Sequence, residues 1–504
     1  MSGRTPGGRA RHAVGSIDVA SAPSRPLTDL VSGLPGVSVR GDASIAVSGL
    51  CYRSGEARPG SVFFCVPGAQ ADGHDFAPHA MSLGAAALVV ERWLELEVTQ
   101  VLVPSVRGAM GAISAAFFGR PADAMTLIGV TGTNGKTTTT YLLEAVLRAP
   151  GYVPGVVGTT GVRVDGRPTP FPRTTPEAPD LHRLLADMAE AGVGAIAMEV
   201  SSHGLDQHRV DGVRFDRAVF TNLTQDHLDY HASMDEYFLA KARLFTPEMS
   251  DGAVLNHDSP EGRRLAGSGL PTITYGLDTG ADVRATEVET TRRGIAFVID
   301  GFRVASPLRG LFNVENCLAA FATARSLGFD DGASAEAISS VHGVPGRVEA
   351  VEAGQPFLVM VDYAHTPDGV GNVLRAARPL AAGRVIVVFG CGGDRDRAKR
   401  PLMGRTATAN ADLSVITSDN PRSEDPNAII AEIERGARDG GGAYLLEPER
   451  RAAIRIAVSE AHPGDVVVIA GKGHETYQEL ADRTVAFDDR EVAAEEIRAL
   501  GVSG

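Results

Sequence analysis

Thr126-Leu-Ile-Gly-Val-Thr-Gly-Thr-Asn-Gly-Lys-Thr-Thr138 joins an apolar run of strand length to a glycine-rich turn. The residues that follow, from Thr138 to Arg148, carry apolar side chains at helical spacing. A strand, a turn with Gly-Lys-Thr and a helix are typical of a phosphate-binding loop, whose N–H groups and helix N-terminus hold an anion. The stretch therefore predicts a nucleoside triphosphate site. Its residues are Gly132, Thr133, Asn134, Gly135, Lys136, Thr137 and Thr138.

Two side chains of this loop have predicted roles. Lys136 is placed to reach the terminal phosphates, and the Thr137 hydroxyl to face Mg²⁺. The usual spacing puts a glycine where Val130 stands, so the loop is a shorter Gly-x-x-Gly-Lys-Thr. A plain helix cap is the alternative interpretation, but the order of strand, turn and helix favours the phosphate site.

The composition indicates a globular protein. At 504 residues the chain is long enough for roughly three domains. A net charge of −14 argues against nucleic acid or an acidic membrane as partner. No apolar run approaches the ~20 residues of a membrane span. The cysteines are scattered without a C-x-x-C pair, which fits reduced thiols in a cytoplasmic protein; they are Cys51, Cys65, Cys317 and Cys391.

The pattern of elements predicts an α/β fold with a tail and three domains. Residues 1–26 are rich in Gly, Arg, Ser and Pro and lack the apolar core of a secretory signal, so we predict a disordered tail. The domains are predicted at 27–122, 123–342 and 343–504. In the last two domains, polar residues follow the predicted apolar strands. Parallel sheets bind ligands at the carboxyl ends of their strands, so these polar residues are candidates for a binding site.

Two of these strand ends carry candidate metal ligands. Glu199 and His227 each follow a predicted strand of the central domain, and a carboxylate and an imidazole beside a phosphate loop suit Mg²⁺. The alternatives are an acid favoured by a helix N-terminus and an ordinary loop histidine. Lys241 lies in an amphipathic helix, and its pattern predicts a surface lysine whose stem covers apolar neighbours.

The C-terminal strand ends carry candidate groups for a charged substrate. Arg395, Arg397 and Arg422 are suited to a carboxylate, since guanidinium pairs with it in a planar geometry. A solvated loop edge is the alternative. Asn420-Pro421 is a turn signal that fixes the backbone before Arg422. Glu475 could receive an ammonium group or simply begin a helix.

Together these motifs resemble the Mur ligase family, over about residues 27–500. The motifs occur in the family's order: Gly132-Thr-Asn-Gly-Lys-Thr137, Glu199-Val-Ser-Ser-His203, Asp226-His227, Lys241, Asp362-Tyr-Ala-His365 and Gly471-Lys-Gly-His-Glu475. The resemblance implies an N-terminal domain for a uridine nucleotide, a central ATPase and a C-terminal Rossmann-like domain for an amino acid. Asp419-Asn-Pro-Arg422 is the pattern of members that add meso-diaminopimelate rather than lysine.

The resemblance also implies roles for single residues. Lys241 matches a lysine that becomes N-carboxylated, against the surface lysine that its own pattern predicts, and Glu199 and His227 match metal-site residues. The adenosine and phosphate site is implied at Asn313, Arg347 and His365. The muramoyl-dipeptide site is implied at Tyr52, Ser54, Ala69, Gln70, Ala71, Thr174, Thr175, Ser201, Gln207 and Arg209. The diaminopimelate pocket is implied at Arg395, Asp419, Asn420, Pro421, Arg422, Gly471 and Glu475.

The sequence departs from the family at the uridine end. The common Asp-Ser-Arg is Arg53-Ser54-Gly55 here, so only Ser54 matches cleanly, and an Asn that often precedes Thr-Thr-Pro is Arg173.

The reaction implied is amide formation driven by ATP in cytoplasmic peptidoglycan precursor synthesis. The γ-carboxylate of UDP-N-acetylmuramoyl-L-alanyl-D-glutamate attacks ATP, and the diaminopimelate amine then attacks the acyl phosphate, with Mg²⁺ and Lys136 offsetting charge. Positioning replaces a protein nucleophile, domain closure excludes water, and a monomer is expected. Two alternatives remain: a lysine-adding or folylpolyglutamate-type ligase, and a nucleotide-binding regulator without catalysis.

Overall fold

The computed structural model describes residues 24–68 and 71–501. In these residues the chain is an α/β fold with one large sheet in each of its N-terminal, central and C-terminal regions. Residues 1–23 of the predicted tail, with Ala69 and Gln70, lie outside the described residues. The tail prediction is wrong for Arg25 and Pro26, because these residues pair as a strand with Val47 and Ala46.

The N-terminal region is built on a five-stranded sheet in the order β2-β7-β6-β5-β4. Its strands are β1 (Arg25–Pro26), β2 (Ser38–Arg40), β3 (Ala46–Val47), β4 (Gly49–Cys51), β5 (Ser61–Phe64), β6 (Ala87–Val90) and β7 (Thr99–Leu102). Its helices are α1 (Leu27–Val31), α2 (Ala77–Ser82) and α3 (Val106–Phe117), with short 3-10 turns at Ser54–Glu56 and Gly73–Phe76. Alternate residues of β5 and β6 join separate apolar clusters, so both faces of the sheet are covered.

The central region is built on an eleven-stranded sheet in the order β11-β10-β9-β12-β8-β13-β14-β15-β16-β17-β18. The strands from β9 to β16 in this order pair in parallel, and antiparallel strands extend both edges. The strands are β8 (Thr126–Thr131), β9 (Pro154–Gly158), β10 (Gly161–Val164), β11 (Arg167–Thr169), β12 (Ala195–Glu199), β13 (Arg217–Phe220), β14 (Ala253–Asn256), β15 (Thr272–Gly276), β16 (Val283–Thr291), β17 (Gly294–Ile299) and β18 (Phe302–Ser306).

Seven helices accompany the described part of this region, with 3-10 turns at Pro121–Ala124 and Arg243–Phe245. They are α4 (Lys136–Arg148), α5 (Ala178–Glu190), α6 (Ser202–Asp206), α7 (Met234–Ala242), α8 (Pro260–Leu265), α9 (Leu311–Ser326) and α10 (Asp331–Ser339). Apolar residues of α4 and α9 pack with those of the sheet in one buried cluster.

The C-terminal region is built on a six-stranded sheet in the order β19-β20-β24-β21-β22-β23. The strands are β19 (Glu349–Ala350), β20 (Leu358–Asp362), β21 (Val385–Phe389), β22 (Leu413–Ile416), β23 (Ala443–Leu446) and β24 (Val466–Ala470), followed by a hairpin of β25 (Tyr477–Glu479) and β26 (Thr484–Ala486). The helices are α11 (Pro367–Ala377), α12 (Lys399–Asn410), α13 (Pro426–Gly440), α14 (Arg450–Glu460) and α15 (Asp489–Ala499), with a 3-10 turn at Arg378–Leu380. Successive residues of β21 join clusters on opposite faces, as in a doubly wound sheet.

The described chain divides into two compact units. The first contains the N-terminal region together with residues 177–191, so α5 packs with α3 although it follows β11 in the sequence. The second contains the remainder of the central region and the whole C-terminal region. The three predicted domain ranges themselves stay a prediction.

The four cysteines are all buried and unpaired. Burial raises the pKa of Cys51 to about 11 and the pKa values of Cys65 and Cys391 to about 12. Among the described helices none is long and apolar enough to cross a membrane.

Candidate active site

The phosphate loop lies between β8 and α4, which confirms the predicted strand and helix. Gly132 and Gly135 both have left-handed backbone angles, with φ of 148° and 88°. A Cβ atom on Gly132 would lie 1.9 Å from Thr221 Oγ1, and one on Gly135 would lie 2.4 Å from Asn316 Oδ1. Both positions therefore require glycine for conformational and for steric reasons.

Residues at the carboxyl end of β13 fix the shape of the loop. The Thr221 hydroxyl donates to the Asn134 carbonyl oxygen at 2.6 Å. The Asn134 N–H donates to Asn222 Oδ1 at 2.9 Å, and the Thr133 N–H donates to the Asn222 carbonyl at 2.9 Å. Neighbouring parallel strands thus supply the loop and its support.

Two lysine side chains converge on one carbonyl of the loop. Lys136 Nζ and Lys241 Nζ each donate to the Gly132 carbonyl oxygen at 2.9 Å. Burial lowers the pKa of both ammonium groups, and the charge of Lys136 lowers the pKa of Lys241 further. Lys241 Nζ also lies 4.4 Å from the centre of the Tyr237 ring.

The prediction that Lys241 is a surface lysine is wrong, since only 1% of the residue is exposed. Its helix α7 buries Tyr237, Phe238 and Ala240 as well, so the lysine lies on a buried side of the helix. Local periodicity does not reveal this, because the surface that covers Lys241 is the phosphate loop, which is distant in sequence.

Glu199 ends β12 beside Val130 of β8, and is therefore next to the loop. It is 1% exposed, and its carboxylate accepts from the Thr159 N–H at 2.9 Å and the Thr159 hydroxyl at 3.0 Å. A Cβ on Gly158 would lie 2.3 Å from Glu199 Oε1. Glycine at the end of β9 thus leaves room for this carboxylate.

His227 has a left-handed backbone, with φ of 55°, and its ring centre lies 4.7 Å from that of His203. Burial lowers the pKa of His227 to about 3 and that of His203 to about 4. His227 is therefore neutral near pH 7, the form in which imidazole binds metal ions.

The donors around the loop fit magnesium bound together with a nucleotide. Thr137, Glu199 and His227 line one cleft, while no described group of three or more His, Cys, Asp or Glu side chains could hold a metal unaided. Mg²⁺ commonly takes few protein ligands and completes its shell with phosphate oxygens and water. The Thr137 hydroxyl currently accepts from Arg347 Nη2 at 3.0 Å.

This cleft has a volume of about 1620 Å³ and is lined by both the central and the C-terminal regions. One wall carries hydroxyl groups and a guanidinium group. Among its lining residues are Thr174, Thr175, Ser201 and Arg209. The Thr175 hydroxyl donates to the Glu199 carbonyl at 3.0 Å, and Arg209 Nη1 donates to the Thr175 carbonyl at 3.1 Å. Gln207 is not among the residues that line the cleft, and its Oε1 accepts from Arg209 Nη2 at 2.7 Å.

The predicted uridine-end residues lie in the first unit. The Tyr52 hydroxyl donates to Asp180 of α5 at 2.7 Å, and Ser54 Oγ lies 3.0 Å from His79 Nδ1. The Ala71 carbonyl accepts from the Gly68 N–H at 3.0 Å.

The predicted adenosine and phosphate residues separate into two groups. Arg347 and His365 line the cleft, with the Arg347 guanidinium 4.7 Å from the centre of the Tyr363 ring. Burial lowers the pKa of His365. Asn313 is not among the residues that line the cleft. Its side chain donates to the Arg309 carbonyl at 2.8 Å and accepts from Asn316 at 2.9 Å, and Asn316 itself lines the cleft.

The C-terminal strand ends form the other wall. Arg422 has φ of 50°; its Nε lies 2.8 Å from Glu479 Oε2 and its Nη1 donates to the Gly393 carbonyl at 2.9 Å. Arg395 lines the cleft and donates to the Asp394 carbonyl at 3.2 Å. Pro421 turns the backbone, and its carbonyl accepts from the Glu424 N–H.

Arg397 is not part of this wall, so its predicted role in the pocket is wrong. It pairs with Glu432 on α13 and is largely exposed. Arg400, which sequence reasoning missed, is fully buried and binds Glu424 and Glu432. Glu424 and Glu432 are distant from Arg400 in the sequence, so no local sequence pattern identifies this group of ion pairs.

A buried lysine is hydrogen-bonded to two residues of the same wall. Lys472 is fully buried and donates to Asn420 Oδ1 at 3.0 Å and Glu475 Oε2 at 3.1 Å. Asn420 Nδ2 also donates to Glu475 Oε2, at 2.9 Å. Burial raises the pKa of Glu475, and Lys472 opposes that shift. A Cβ on Gly471 would lie 2.4 Å from Asp419 Oδ2, so glycine leaves room for the Asp419 carboxylate.

Sequence reasoning missed several other cleft residues. Thr159 follows the buried strand β9, and Glu315, Asp368 and Lys399 also line the cleft. Thr159 directly follows a strand end, so the rule that located Glu199 could have found it, whereas Asp368 lies in the first turn of α11.

The chain belongs to the Mur ligase family. Family models match residues 46–118 (Mur ligase family, catalytic domain), 130–324 (Mur ligase middle domain) and 346–473 (Mur ligase, glutamate ligase domain). The three-domain α/β fold predicted from the resemblance is that of this family and is confirmed. The chain is accordingly a ligase of the Mur class.

Relatives and solved structures indicate a particular member. A UDP-N-acetylmuramoyl-L-alanyl-D-glutamate--2,6-diaminopimelate ligase of Geobacillus thermodenitrificans is 48% identical over 93% of this chain and 98% of its own length. The enzyme of the same name from Solibacter usitatus is 47% identical over 91% and 95%. A solved structure of a ligase with this name matches with a TM-score of 0.68 and 33% identity, over 95% of this chain and 100% of that one. A MurF ligase of Thermotoga maritima in complex with ADP, 19% identical with a TM-score of 0.61 over 90% of this chain and 96% of that one, shares the fold.

Proposed function

We propose that the chain joins meso-diaminopimelate to UDP-N-acetylmuramoyl-L-alanyl-D-glutamate at the expense of ATP. The observation that carries the proposal is that one cleft contains a phosphate loop and, on its C-terminal wall, a guanidinium and a carboxylate, those of Arg422 and Glu475. The relatives that carry this name support the choice of substrates.

The phosphate loop binds ATP in this proposal, and Lys136 leaves its two loop carbonyls to reach the terminal phosphates. Lys136 now donates to the Gly132 and Thr133 carbonyls at 2.9 and 2.8 Å, and triphosphate oxygens are stronger acceptors. Arg347, which donates to the Thr137 hydroxyl, is close enough to turn to the same phosphates.

Thr137, Glu199 and His227 would hold Mg²⁺ together with the nucleotide, and the ion would supply charge compensation for phosphoryl transfer. The chain's residues orient the acceptor carboxylate against the γ-phosphate, and the C-terminal wall excludes water from the acyl phosphate. The amine of diaminopimelate then attacks the acyl carbon, and phosphate leaves.

Lys241 carries an N-carboxyl group in the working enzyme, as part of the same proposal. Only a neutral amine adds to carbon dioxide, and burial lowers the pKa of Lys241 toward that form. The amine nitrogen bonds to the carbon of carbon dioxide and a proton is released to solvent, so the product is an anion beside the Lys136 ammonium.

The two charged groups at the distal end of diaminopimelate explain the charges of the C-terminal wall. Arg422 and Arg395 bind a carboxylate, while Glu475 and Asp419 bind the ammonium on the same distal carbon. L-Lysine has the ammonium but lacks that carboxylate. The guanidinium groups would then lose their partner, so we expect discrimination against lysine.

ADP release measured with the UDP-linked dipeptide tests the proposal, with meso-diaminopimelate compared against L-lysine. We expect product with the former and little with the latter. Arg422→Ala should raise the KM for diaminopimelate far more than that for ATP, while Arg397→Ala, a matched control on the same sheet edge, should leave both near wild type. A preference for lysine, or for a folate, identifies one of the alternative ligases instead. ATP binding without turnover identifies a regulator.

Positional isotope exchange tests the acyl phosphate. In the presence of the UDP-linked dipeptide and without the amino acid, ATP labelled at the β–γ bridge should scramble its label. Absence of scrambling contradicts this intermediate. The proposal places the reaction in the cytoplasm, in peptidoglycan precursor synthesis, and takes the enzyme as a monomer, which light scattering can test.

A further inference from the structure

Asn134 of the phosphate loop is hydrogen-bonded to Asp368 in the C-terminal region. Asn134 Nδ2 donates to Asp368 Oδ2 at 3.1 Å across the cleft that both residues line. The two residues are far apart in the sequence, and Asp368 has no role in the proposed chemistry.

The Asp368 carboxylate is held in place by its own helix. Asp368 is in the first turn of α11, where the helix N-terminus favours a negative charge. The Thr366 hydroxyl caps this turn by accepting from the Gly369 N–H at 3.0 Å. Asn372 Nδ2 donates to Asp368 Oδ2 at 2.9 Å, and an Arg375 guanidinium nitrogen lies 3.9 Å from Asp368 Oδ1. The carboxylate is thus presented to the loop by a fixed element.

Asn134, in contrast, lies between the two left-handed glycines of the loop. Its backbone is fixed by Thr221 and Asn222 from the central sheet, while its side chain reaches Asp368 and, at 3.3 Å, Thr224 Oγ1. A change at Asp368 therefore reaches the loop through a single side chain that belongs to the nucleotide site.

We propose that Asp368 is a positioning residue that couples the placement of the C-terminal wall against the phosphate loop to the orientation of the Asn134 side chain. The link forms only when α11 stands against the loop. The Asn134 side chain then takes its productive orientation when the wall that excludes water is already in place. This proposal rests on the proposed ligase function and deepens it.

A double-mutant cycle tests this coupling. Asp368→Ala, Asn134→Ala and the double variant are compared with wild type in kcat for ADP release and for amide product. A hydrogen bond to a charged group lost from one partner lowers kcat about 10-fold, or ~1.4 kcal/mol. We expect the double variant to be no slower than the slower single variant, because both remove the same link. If the two single substitutions lower kcat by factors that multiply in the double variant, the proposal is overturned.

The ratio of ADP to amide product separates positioning from a loss of structure. Wild type should release one ADP per amide formed. In Asp368→Ala a loosened wall admits water to the acyl phosphate, so we expect the ratio to rise above one. Loss of folded protein lowers both products together, and a ratio that stays at one overturns the proposal.

Two further variants serve as controls. Asn372→Ala removes the other amide from the same carboxylate oxygen but leaves the link to the loop, so its ratio should stay near one. Asp368→Asn keeps the shape and an acceptor oxygen, and should fall between wild type and Asp368→Ala. If Asn372→Ala uncouples as strongly as Asp368→Ala, the link to Asn134 is not the cause. If wild type forms no amide with any amino acid, the proposed function fails instead, and the two failures are distinguishable.

Discussion

The Gly132 carbonyl oxygen accepts from the buried Lys241 ammonium and from the partly buried Lys136 ammonium. Two like charges that share one acceptor repel each other in a region of low dielectric. The repulsion between the two ammonium groups is relieved when Lys136 moves to a phosphate or when Lys241 loses its positive charge. The proposed reaction requires both changes.

Lys241→Met should stabilise the fold while abolishing turnover. The folded protein binds a proton at Lys241 more weakly than the unfolded chain, so wild-type stability rises with pH up to the unfolded pKa and is lost as pH falls. Removing the buried ammonium should add about 1 kcal/mol or more at pH 7 and flatten this slope. Urea unfolding at pH 7 and pH 9.5 in buffer free of carbon dioxide measures both. An unchanged slope contradicts the assignment.

Gly135→Ala should weaken ATP binding and lower stability. The left-handed backbone costs an alanine about 1 kcal/mol, and its Cβ meets Asn316 Oδ1 at 2.4 Å. We expect the KM for ATP to rise about 10-fold or more, measured in ADP release. Combining Gly135→Ala with Asn316→Ala removes the steric clash but not the backbone strain. Partial recovery of stability in the double variant would therefore show that the clash contributes to the loss.

Lys472→Met should damage amino-acid binding selectively and most at low pH. Burial raises the pKa of Glu475 and Lys472 lowers it, so without Lys472 the carboxyl stays protonated to higher pH. A neutral carboxyl attracts an ammonium weakly, and we expect the KM for diaminopimelate to rise about 10-fold near pH 6.5 and less near pH 8.5. Lys472→Arg keeps the charge and is the control. A rise in KM that is the same at both pH values argues against this role.

Among the elements, parallel strands with continuous apolar runs could be predicted from sequence, because burial on both faces selects an unbroken run. The apolar run from Val466 to Ala470 predicts a strand with the bounds that β24 has in the structure. The runs from Gly194 to Val200 and from Arg384 to Phe389 predict two further strands, and β12 and β21 are each within one residue of these bounds at either end. The polar groups that follow these strands come together because parallel strands end at one edge, so Glu199, Arg422 and Glu475 could be located without a structure.

Elements defined by distant partners could not be predicted. Residues 177–191 belong with the N-terminal unit because α5 packs with α3, and the sequence of α5 only indicates an amphipathic helix. Arg395 and Arg397 are two residues apart, yet one lines the cleft and the other pairs with Glu432. Their difference depends on α13, which lies far along the chain.

Thr366→Ala should destabilise α11 through loss of its N-terminal cap. The Thr366 hydroxyl accepts from the Gly369 N–H, and removing a threonine cap costs about 1 kcal/mol. Urea unfolding should show this loss, with Thr366→Ser restoring most of it. A loss of that size should also raise hydrogen exchange in the first turn of α11. No change in either measurement contradicts the assignment of the cap.

At the scale of the whole molecule, each of the two units has its own apolar core. The first unit contains the clusters around β5 and β6, and the second contains the clusters around the central and C-terminal sheets. Separate apolar cores can unfold as separate cooperative units.

Calorimetry should therefore resolve two unfolding transitions. A non-hydrolysable ATP analogue at 100 times its Kd stabilises the unit that binds it by about 2.7 kcal/mol. Because the phosphate loop and the cleft lie in the second unit, we expect only the larger transition to move. A single transition that moves as a whole, or a shift confined to the smaller one, contradicts this prediction.

The buried cysteines make the native chain nearly inert toward thiol reagents. Maleimides attack thiolates, and at pH 7 the raised pKa values leave Cys51, Cys65 and Cys391 protonated, while Cys317 is fully buried. A cysteine introduced at an exposed position therefore becomes the reactive thiol without deletion of any native one. Pairs of dyes attached in this way on α11 and α8 can report the movement of the C-terminal wall during single turnovers.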